Sequence, residues 1–241
     1  MAATIKAVQN CAGAGAGGGS SLLAMGAFAA NPANGDVIVV MQAEYNTASA
    51  AVAPTDSAGN TYTQIGTTVK QSVWNANTGM SYWAASNITG GSSFIVTVHH
   101  TNNNHCAVAW CLTGVAASPY NSDWKENHGG TQVNPVSGAS VGTPLANSIM
   151  LAALFQDDNV SASPAAGWNT QGVNGYTAGM DALAQVTFAA APLKMCTAYK
   201  LVSASDSCTW TASIPHAYVT MIASFGPGGG AVSQNTLFFG V

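Results

Sequence analysis

The chain has 241 residues, of which 48% are hydrophobic and only 6% are charged, and its net charge is −4 with no arginine among its five basic residues. Arginine supplies the paired contacts to phosphates and base edges, so this composition excludes nucleic acid and an anionic membrane surface as partners. The longest apolar runs, residues 22–30 and 149–155, are shorter than the roughly 20 residues that a bilayer-spanning helix needs.

Residues 4–9 are predicted to form a strand, and a run rich in Gly and Ala follows, so residues 1–21 are expected to be an N-terminal strand and arm. The pattern GxGxxG at residues 13–18, with Asp36 at the spacing of a ribose contact, is typical of dinucleotide sites. Such a site needs a buried apolar strand before the glycines and a helix after them. The preceding strand is too polar and no helix is predicted, so the pattern indicates a loop or arm.

The N-terminus does not resemble a secretion signal. Lys6 gives little positive charge, and the apolar segment 22–30 comes late and is interrupted by Gly26. Since the chain also begins at Met1, we expect a protein that is assembled in the cytoplasm where it is made.

The first half, residues 22–115, is predicted to contain strands at 22–29, 36–45 and 62–69, followed by a meander of three strands over 80–115. Residues 37–41 are apolar on both faces, which is typical of a central strand. Asp56, Gly59 and Asn60 are turn residues, because Asp and Asn bond to local amides and Gly adopts positive φ.

Residues 116–146, rich in Ser, Pro, Gly and Asn, are predicted to connect this half to a second one, residues 147–226. The pattern GxSxG at residues 138–142 lies in this connection, but Pro144 and a following strand deny it the helix of a nucleophile elbow. The second half has a doubly apolar strand at 147–156, a turn at 163–170 and one or two strands within 173–191. A C-terminal arm, residues 227–241, is apolar beyond its glycines.

Residues 195–226 repeat the pattern of residues 80–115. The apolar face of Phe94, Val96 and Val98 aligns with that of Trp210, Ala212 and Ile214, and His105 aligns with His216. Together with turns every 8 to 12 residues, this predicts an all-β fold, an antiparallel β-sandwich or jelly-roll-like domain of two internally similar halves. The halves are expected to form one large sandwich, with two tandem sandwiches as the alternative.

Two groups of side chains have the composition of metal sites. One interpretation is that His99, His100, His105 and Cys106 bind zinc or copper. However, adjacent histidines on a strand point to opposite faces. Calcium is one interpretation of the oxygen-rich loops at Asp56 and Asn60 and at Asp157 and Asp158. In both cases the sequence favours turn-capping or solvated side chains, so no metal and no cofactor is predicted.

No catalytic residues are predicted, and the protein is expected not to be an enzyme. A glycosidase needs two carboxylates across one cleft, and nothing aligns Glu44 with Asp157 or Asp158. The five cysteines are an odd number without paired spacing, and Cys106 and Cys111 face opposite sides of one strand. They are predicted to be small core residues.

A resemblance rests on four segments: residues 35–40 (GDVIVV), 56–62 (DSAGNTY), 82–90 (YWAASNITG) and 107–114. This series of strands with a D-x-x-G-N-x-Y turn resembles β-sandwich domains of bacteriophage virion proteins and bacterial surface proteins. The resemblance implies a fold used in adhesion, display or shell decoration, and it carries no catalytic residues.

The function expected from these features is that of a virion structural protein of the capsid-decoration, collar or fibre kind, located in the virion and bound to copies of itself and other virion proteins. The alternative is a carbohydrate-binding sandwich that recognises a host-surface glycan. In that case exposed aromatic side chains would stack on sugars, and the candidates are Trp74, Tyr120, Trp124 and Trp168.

Overall fold

A computed structural model describes twelve segments of the chain. These are residues 3–14, 22–45, 52–70, 79–99, 104–133, 140–141, 146–156, 162–164, 167–168, 194–202, 204–212 and 216–228. Every regular element in this described part is a β-strand, and all the strand pairs are antiparallel, which confirms the predicted all-β fold class. None of the described residues forms a helix long and apolar enough to cross a membrane.

The strands within residues 4–113 are β1 (Thr4–Ala14), β2 (Leu22–Ala24), β3 (Val37–Tyr45), β4 (Thr55–Asp56), β5 (Thr63–Lys70), β6 (Gly79–Ala85), β7 (Val96–His99) and β8 (Asn104–Thr113). Five of them form a sheet in the order β1-β8-β3-β6-β5, and three form a smaller sheet in the order β2-β7-β4. The doubly apolar strand β3 lies at the centre of the larger sheet, as its sequence predicts.

The remaining strands are β9 (Val115–Val133), β10 (Ser140–Val141), β11 (Ser148–Gln156), β12 (Ala162–Pro164), β13 (Lys194–Val202), β14 (Asp206–Ser207), β15 (Trp210–Ala212) and β16 (His216–Pro227). Four of them form a second large sheet in the order β13-β11-β16-β9, while β12 pairs with β15 and β10 pairs with β14. The doubly apolar strand β11 is again inside its sheet.

Three buried hydrophobic clusters lie between the layers of the described structure. One cluster lies between the two large sheets and contains Val39 and Trp110 from the first and Leu151 and Met221 from the second. A second packs the five-stranded sheet against the three-stranded one. The third packs the outer face of the four-stranded sheet against the strand pair β12–β15. Each large sheet is therefore covered on both faces.

Two contacts fix how the large sheets face each other. The Tyr82 hydroxyl of β6 donates a hydrogen bond of 2.8 Å to the Met221 carbonyl oxygen of β16. The Trp110 ring of β8 lies edge-on to the Tyr199 ring of β13, with ring centroids 5.9 Å apart. Strand β6 thus contacts β16, and β8 contacts β13.

These contacts also give the relative direction of the two central strands. Trp110 lies opposite Val39 and Tyr82 opposite Met41, whereas Tyr199 lies opposite Leu151 and Met221 opposite Ala153. Along β3 the Trp110–Tyr199 contact comes before the Tyr82–Met221 contact, and the order along β11 is the same. The two central strands, β3 and β11, therefore run in the same direction. In both large sheets a central strand is flanked by two later strands, β6 and β8 around β3 and β13 and β16 around β11. This arrangement agrees with an internal duplication, which stays a prediction.

Several stretches differ from their sequence predictions. Strand β1 extends to Ala14, beyond its predicted end at residue 9, and β2 ends at Ala24 instead of residue 29. Residues 80–115 do not form a meander, because β7 lies in the three-stranded sheet while β6 and β8 flank β3 in the five-stranded one. Residues 116–133, expected to be part of a connection, belong to β9, which pairs with β16 along the sheet edge. Eight of the 19 residues of β9 are Ser, Pro, Asn, Asp or Gly, a composition that indicates a loop. Backbone pairing with a neighbour does not depend on strand-forming side chains.

Candidate functional site

The most densely bonded polar group in the described chain is the Asp56 turn, residues 56–62. The Asp56 Oδ1 atom accepts hydrogen bonds from the backbone amides of Ala58, at 2.9 Å, and Asn60, at 3.1 Å. Its Oδ2 atom accepts a bond of 2.9 Å from the Tyr62 hydroxyl. The Asn60 side-chain amide donates to both oxygens, at 3.2 and 3.0 Å, and Gly59 has a positive φ of 76°.

The Asp56 turn is bound to the loop between β6 and β7. The Thr89 amide donates to Asn60 Oδ1 at 2.8 Å, and Asn60 Nδ2 donates to the Thr89 carbonyl oxygen at 3.1 Å. Ser57 and Ile95 exchange two further bonds, of 3.0 and 3.1 Å. The turn therefore connects two loops at one end of the first half.

The geometry of this turn is that of an Asx turn. Calcium sites present several oxygen lone pairs to the ion, whereas both Asp56 oxygens here accept from N–H and O–H donors. Burial, followed by the charge of Asp56, raises the pKa of Tyr62 far above its ordinary range. The phenol therefore stays protonated and donates to the carboxylate. The second proposed calcium loop, Asp157 and Asp158, lies outside the described residues.

The histidine group is divided between two sheets. His99 is in β7, where its Nε2 atom lies 2.9 Å from the Thr55 hydroxyl, and His105 is in β8 of the five-stranded sheet. His100 lies outside the described residues, and the structure describes only the backbone of His105 and Cys106. No group of three His, Cys, Asp or Glu side chains suited to a metal occurs among the described residues.

A buried ionic cluster that the sequence did not reveal joins β1, β8 and the loop before β3. The Lys6 Nζ atom lies 3.0 Å from Asp36 Oδ2, which also accepts a bond of 2.8 Å from the Ala33 amide. The Cys111 Sγ atom approaches the same oxygen at 3.6 Å. The side chain of Asp36 is only 6% exposed. The Asp36 carboxylate therefore has three partners within the fold: the Lys6 ammonium, the Ala33 amide and the Cys111 thiol.

The chemistry of this cluster is structural. Burial, and next the charge of Asp36, raises the pKa of Cys111 to about 12, so its sulfur is a thiol and a poor nucleophile near neutral pH. The only sequence signal was the pair of isolated charges Lys6 and Asp36. They meet because β8 lies beside β1 and β3, which their separation along the chain does not indicate.

The described residues of the GxGxxG and GxSxG patterns lie in paired strands, which is not the arrangement that those sites require. Gly13 continues β1 opposite His105, so the strand has not ended where a phosphate-binding turn would begin. Asp36 is engaged with Lys6. Ser140 belongs to β10, which pairs with β14. Residues 15–18, 138–139 and 142 lie outside the described part.

The aromatic candidates for sugar stacking include one clear error. Trp168 is 8% exposed and packs with Cys208 and Trp210 beneath the four-stranded sheet, so the expectation that it is an exposed stacking platform is wrong. Its apolar ring completes the outer core. Trp74 lies outside the described residues, and only the backbone of Tyr120 and Trp124 is described, in β9.

The other acids and cysteines whose side chains the structure describes lie in the core or at its margin. Glu44 is 5% exposed near the end of β3. Cys111, Cys196 and Cys208 form no disulfide and are buried, as expected of small core residues. Burial raises the pKa of Cys208, so its sulfur is also a thiol near neutral pH. The other ion pair described joins β13 to β14, through Lys200 and Asp206 at 2.5 Å.

Comparisons with protein-family models, with curated proteins and with solved structures found no match to this chain. The site geometry and the composition are therefore the grounds on which a function is proposed.

Proposed function

We propose that this chain is a non-enzymatic structural protein of a bacteriophage virion, a capsid-decoration, collar or fibre component. It acts through contacts with copies of itself and with other virion proteins, and it is assembled in the host cytoplasm. The resemblance of its turn and strand motifs to virion β-sandwiches supports the setting, and the location of its charges supports the mode of action.

The observation that carries the proposal is how the ionic side chains are used. Among the residues whose side chains are described, each ionic group is buried or bonded within the chain, and these groups are Lys6, Asp36, Glu44, Asp56, Lys200 and Asp206. They stabilise strand contacts and turns. The described surface that remains is made mostly of amides, hydroxyls and small aliphatic groups.

Such a surface suits repeated subunit contacts. Burying an unpaired charge is costly, and interface cores are depleted in charged residues, whereas neutral polar groups can bond to an equivalent neutral surface. Contacts of this kind depend little on ionic strength, because salt screens the interaction of exposed charges.

The test is the mass of the protein in solution, measured by sedimentation velocity over a wide range of protein concentrations and followed by negative-stain imaging of the largest species. We expect a discrete oligomer or regular assembly whose fraction changes little between low salt and roughly 1 M NaCl. A monomer at every concentration would overturn the proposal. Specific binding to immobilised sugars by that monomer would instead favour the carbohydrate-binding alternative.

A further inference from the structure

Two hydroxyls are buried on neighbouring strands of the four-stranded sheet. Ser148 is the first residue of β11 and Ser224 lies in β16, and both residues are 0% exposed. Among the described side chains, these two carry Oγ atoms that have no hydrogen-bond partner within the protein. A buried polar group without a partner is costly, so native proteins usually pair it with another group or with an ordered water.

The two hydroxyls lie on the same face of the sheet. Ser224 pairs with Met150 across the ladder, and Ser148 is two residues before Met150, so all three side chains point to one face. Met150 belongs to the buried cluster that covers this face. Diagonal neighbours on adjacent strands have Cα atoms about 7 to 8 Å apart, and their side chains are closer. One small molecule can therefore bond to both Oγ atoms.

The five-stranded sheet has Asp36 and Cys111 at the equivalent positions. Cys111 pairs with Ile38 of the central strand, and Asp36 lies two residues before Ile38. The two side chains meet, with Cys111 Sγ 3.6 Å from Asp36 Oδ2. A serine side chain is one carbon shorter than that of aspartate, and Ser148 and Ser224 form no bond to each other. The same two positions thus carry polar atoms in both sheets, but only the longer pair is in contact.

A bulged edge strand lies beside each of these pairs. The register between β1 and β8 shifts at Lys6, whose Nζ atom lies 3.0 Å from Asp36 Oδ2. The register between β9 and β16 shifts at Ser224. Bulges often occur where a strand redirects a side chain or interrupts its pairing at a site. The shared irregularity indicates that both sheets accommodate a polar group at this place.

We propose that an internal water molecule binds to Ser148 and Ser224, at the position that corresponds to the ion pair of Lys6 and Asp36. A water can donate two hydrogen bonds and accept two, so a single molecule satisfies both hydroxyls. The two serines are neutral and offer a cation no compensating charge, whereas a water brings no charge into the core. The proposal does not depend on the virion setting.

The water gives the two sheets different links between equivalent strands. In the five-stranded sheet the link is ionic, through Lys6, Asp36 and Cys111. In the four-stranded sheet it is a neutral bridge between β11 and β16.

Substitution of the serines tests the proposal through the sign of the effect on stability. We expect Ser148→Ala and Ser224→Ala each to lower the midpoint of urea unfolding by about 0.3 to 1 M, because each removes a bond to the water. The double variant should unfold close to the more affected single variant, since either change weakens binding of the same water. Ser92→Ala, an exposed change, is the control and should leave the midpoint unchanged.

An unchanged or higher midpoint for either single variant would overturn the proposal, because removal of a hydroxyl without any partner does not weaken the fold. Losses that add up in the double variant would overturn it as well, since they would mean that the two hydroxyls have separate partners.

A high-resolution crystal structure of the intact protein locates the ligand directly. We expect one density peak about 2.8 Å from both Oγ atoms, and no such peak in the double variant. The absence of a peak between the hydroxyls of the native protein would overturn the proposal. A peak about 2.0 to 2.6 Å from its ligands would also overturn it, because that spacing indicates a bound metal cation.

Discussion

At the scale of single residues, the carboxylate of Asp56 accepts hydrogen bonds from two backbone amides, a side-chain amide and a phenol. Loss of the carboxylate would leave the hydroxyl of Tyr62, a residue only 6% exposed, without its acceptor. Leaving a buried donor unpaired costs more than an average hydrogen bond contributes. The polar groups of this turn therefore act together.

We expect Asp56→Ala to lower the free energy of unfolding by about 2 to 3 kcal/mol, because several donors lose one acceptor. Tyr62→Phe removes a single bond and should cost about 1 kcal/mol. Urea denaturation gives both values. Thr61→Ala, an exposed change in the same turn, is the control and should stay within about 0.5 kcal/mol of the native protein. Equal stability of Asp56→Ala and Thr61→Ala would contradict the role of the carboxylate.

The Cys111 thiol predicts a dependence on alkaline pH. Its pKa is raised by burial and by Asp36 from an ordinary 9.0 to about 12. A raised folded-state pKa means that the folded protein binds the proton more tightly than the unfolded chain does. Its contribution to stability is complete below pH 9 and is lost as the pH rises towards 12.

Cys111→Ala should therefore weaken the alkaline loss of stability. We expect the difference in unfolding free energy between the native protein and the variant to change with a slope of at most about 1.4 kcal/mol per pH unit above pH 9. Urea denaturation at a series of pH values measures that slope. Other buried groups titrate in both proteins, so parallel curves would show that the Cys111 thiol does not contribute.

At the scale of elements, the sequence predicted the central strands best. Residues 37–41 and 149–151 are apolar on consecutive positions, which between turn signals is typical of a strand covered on both faces. The sequence did not reveal that β7 belongs to another sheet than β6 and β8, because alternation gives the buried face of a strand and not its neighbours. It missed β9 because turn-forming composition does not exclude pairing at an edge.

The sequence predicted the candidate polar contacts only where they are local. The Asp56 turn is local, and its residue types fix its hydrogen bonds, so the sequence was sufficient. The pairing of Lys6 with Asp36 depends on which strand lies between β1 and β3. The burial of Trp168 depends on packing against Trp210, which is far along the chain. No local sequence pattern predicts the Lys6–Asp36 pair or the packing of Trp168 on Trp210.

The approach of two loops at Gly90 gives a prediction with a closely matched control. A Cβ atom on Gly90 would lie 2.3 Å from the Pro32 carbonyl oxygen, while one on Gly91 would meet nothing within 4 Å. Gly90→Ala should therefore separate the loops and weaken the bond of 3.0 Å from the Gly90 amide to Asn34 Oδ1.

We expect Gly90→Ala to cost at least about 2 kcal/mol in thermal or urea unfolding, since the obstructing atoms are backbone. Gly91→Ala should change stability by less than about 1 kcal/mol. Similar effects of the two substitutions would show that the loops move apart easily.

At the scale of the whole molecule, the two large sheets share one buried cluster, so the halves should unfold together. Tyr82→Phe removes the one hydroxyl bond described across that cluster and should cost about 1 to 2 kcal/mol. Tyr199→Phe keeps the ring against Trp110 and should be nearly neutral.

Both variants should still unfold in a single transition seen equally by tryptophan fluorescence and far-ultraviolet circular dichroism. Two separate transitions would indicate that the halves fold independently. A Tyr82→Phe protein as stable as Tyr199→Phe would show that the bond to Met221 contributes nothing across the interface.

The buried thiols have a consequence for the redox conditions that the protein tolerates. Cys111, Cys196 and Cys208 are unbridged and enclosed by the core, so these three sulfurs neither need oxidation to complete the fold nor meet oxidants that would break it. A particle built from such subunits in the reducing interior of a cell would pass into the oxidising medium after lysis without change at these positions. At these three positions the stability of such a particle would then depend on packing and not on cross-links.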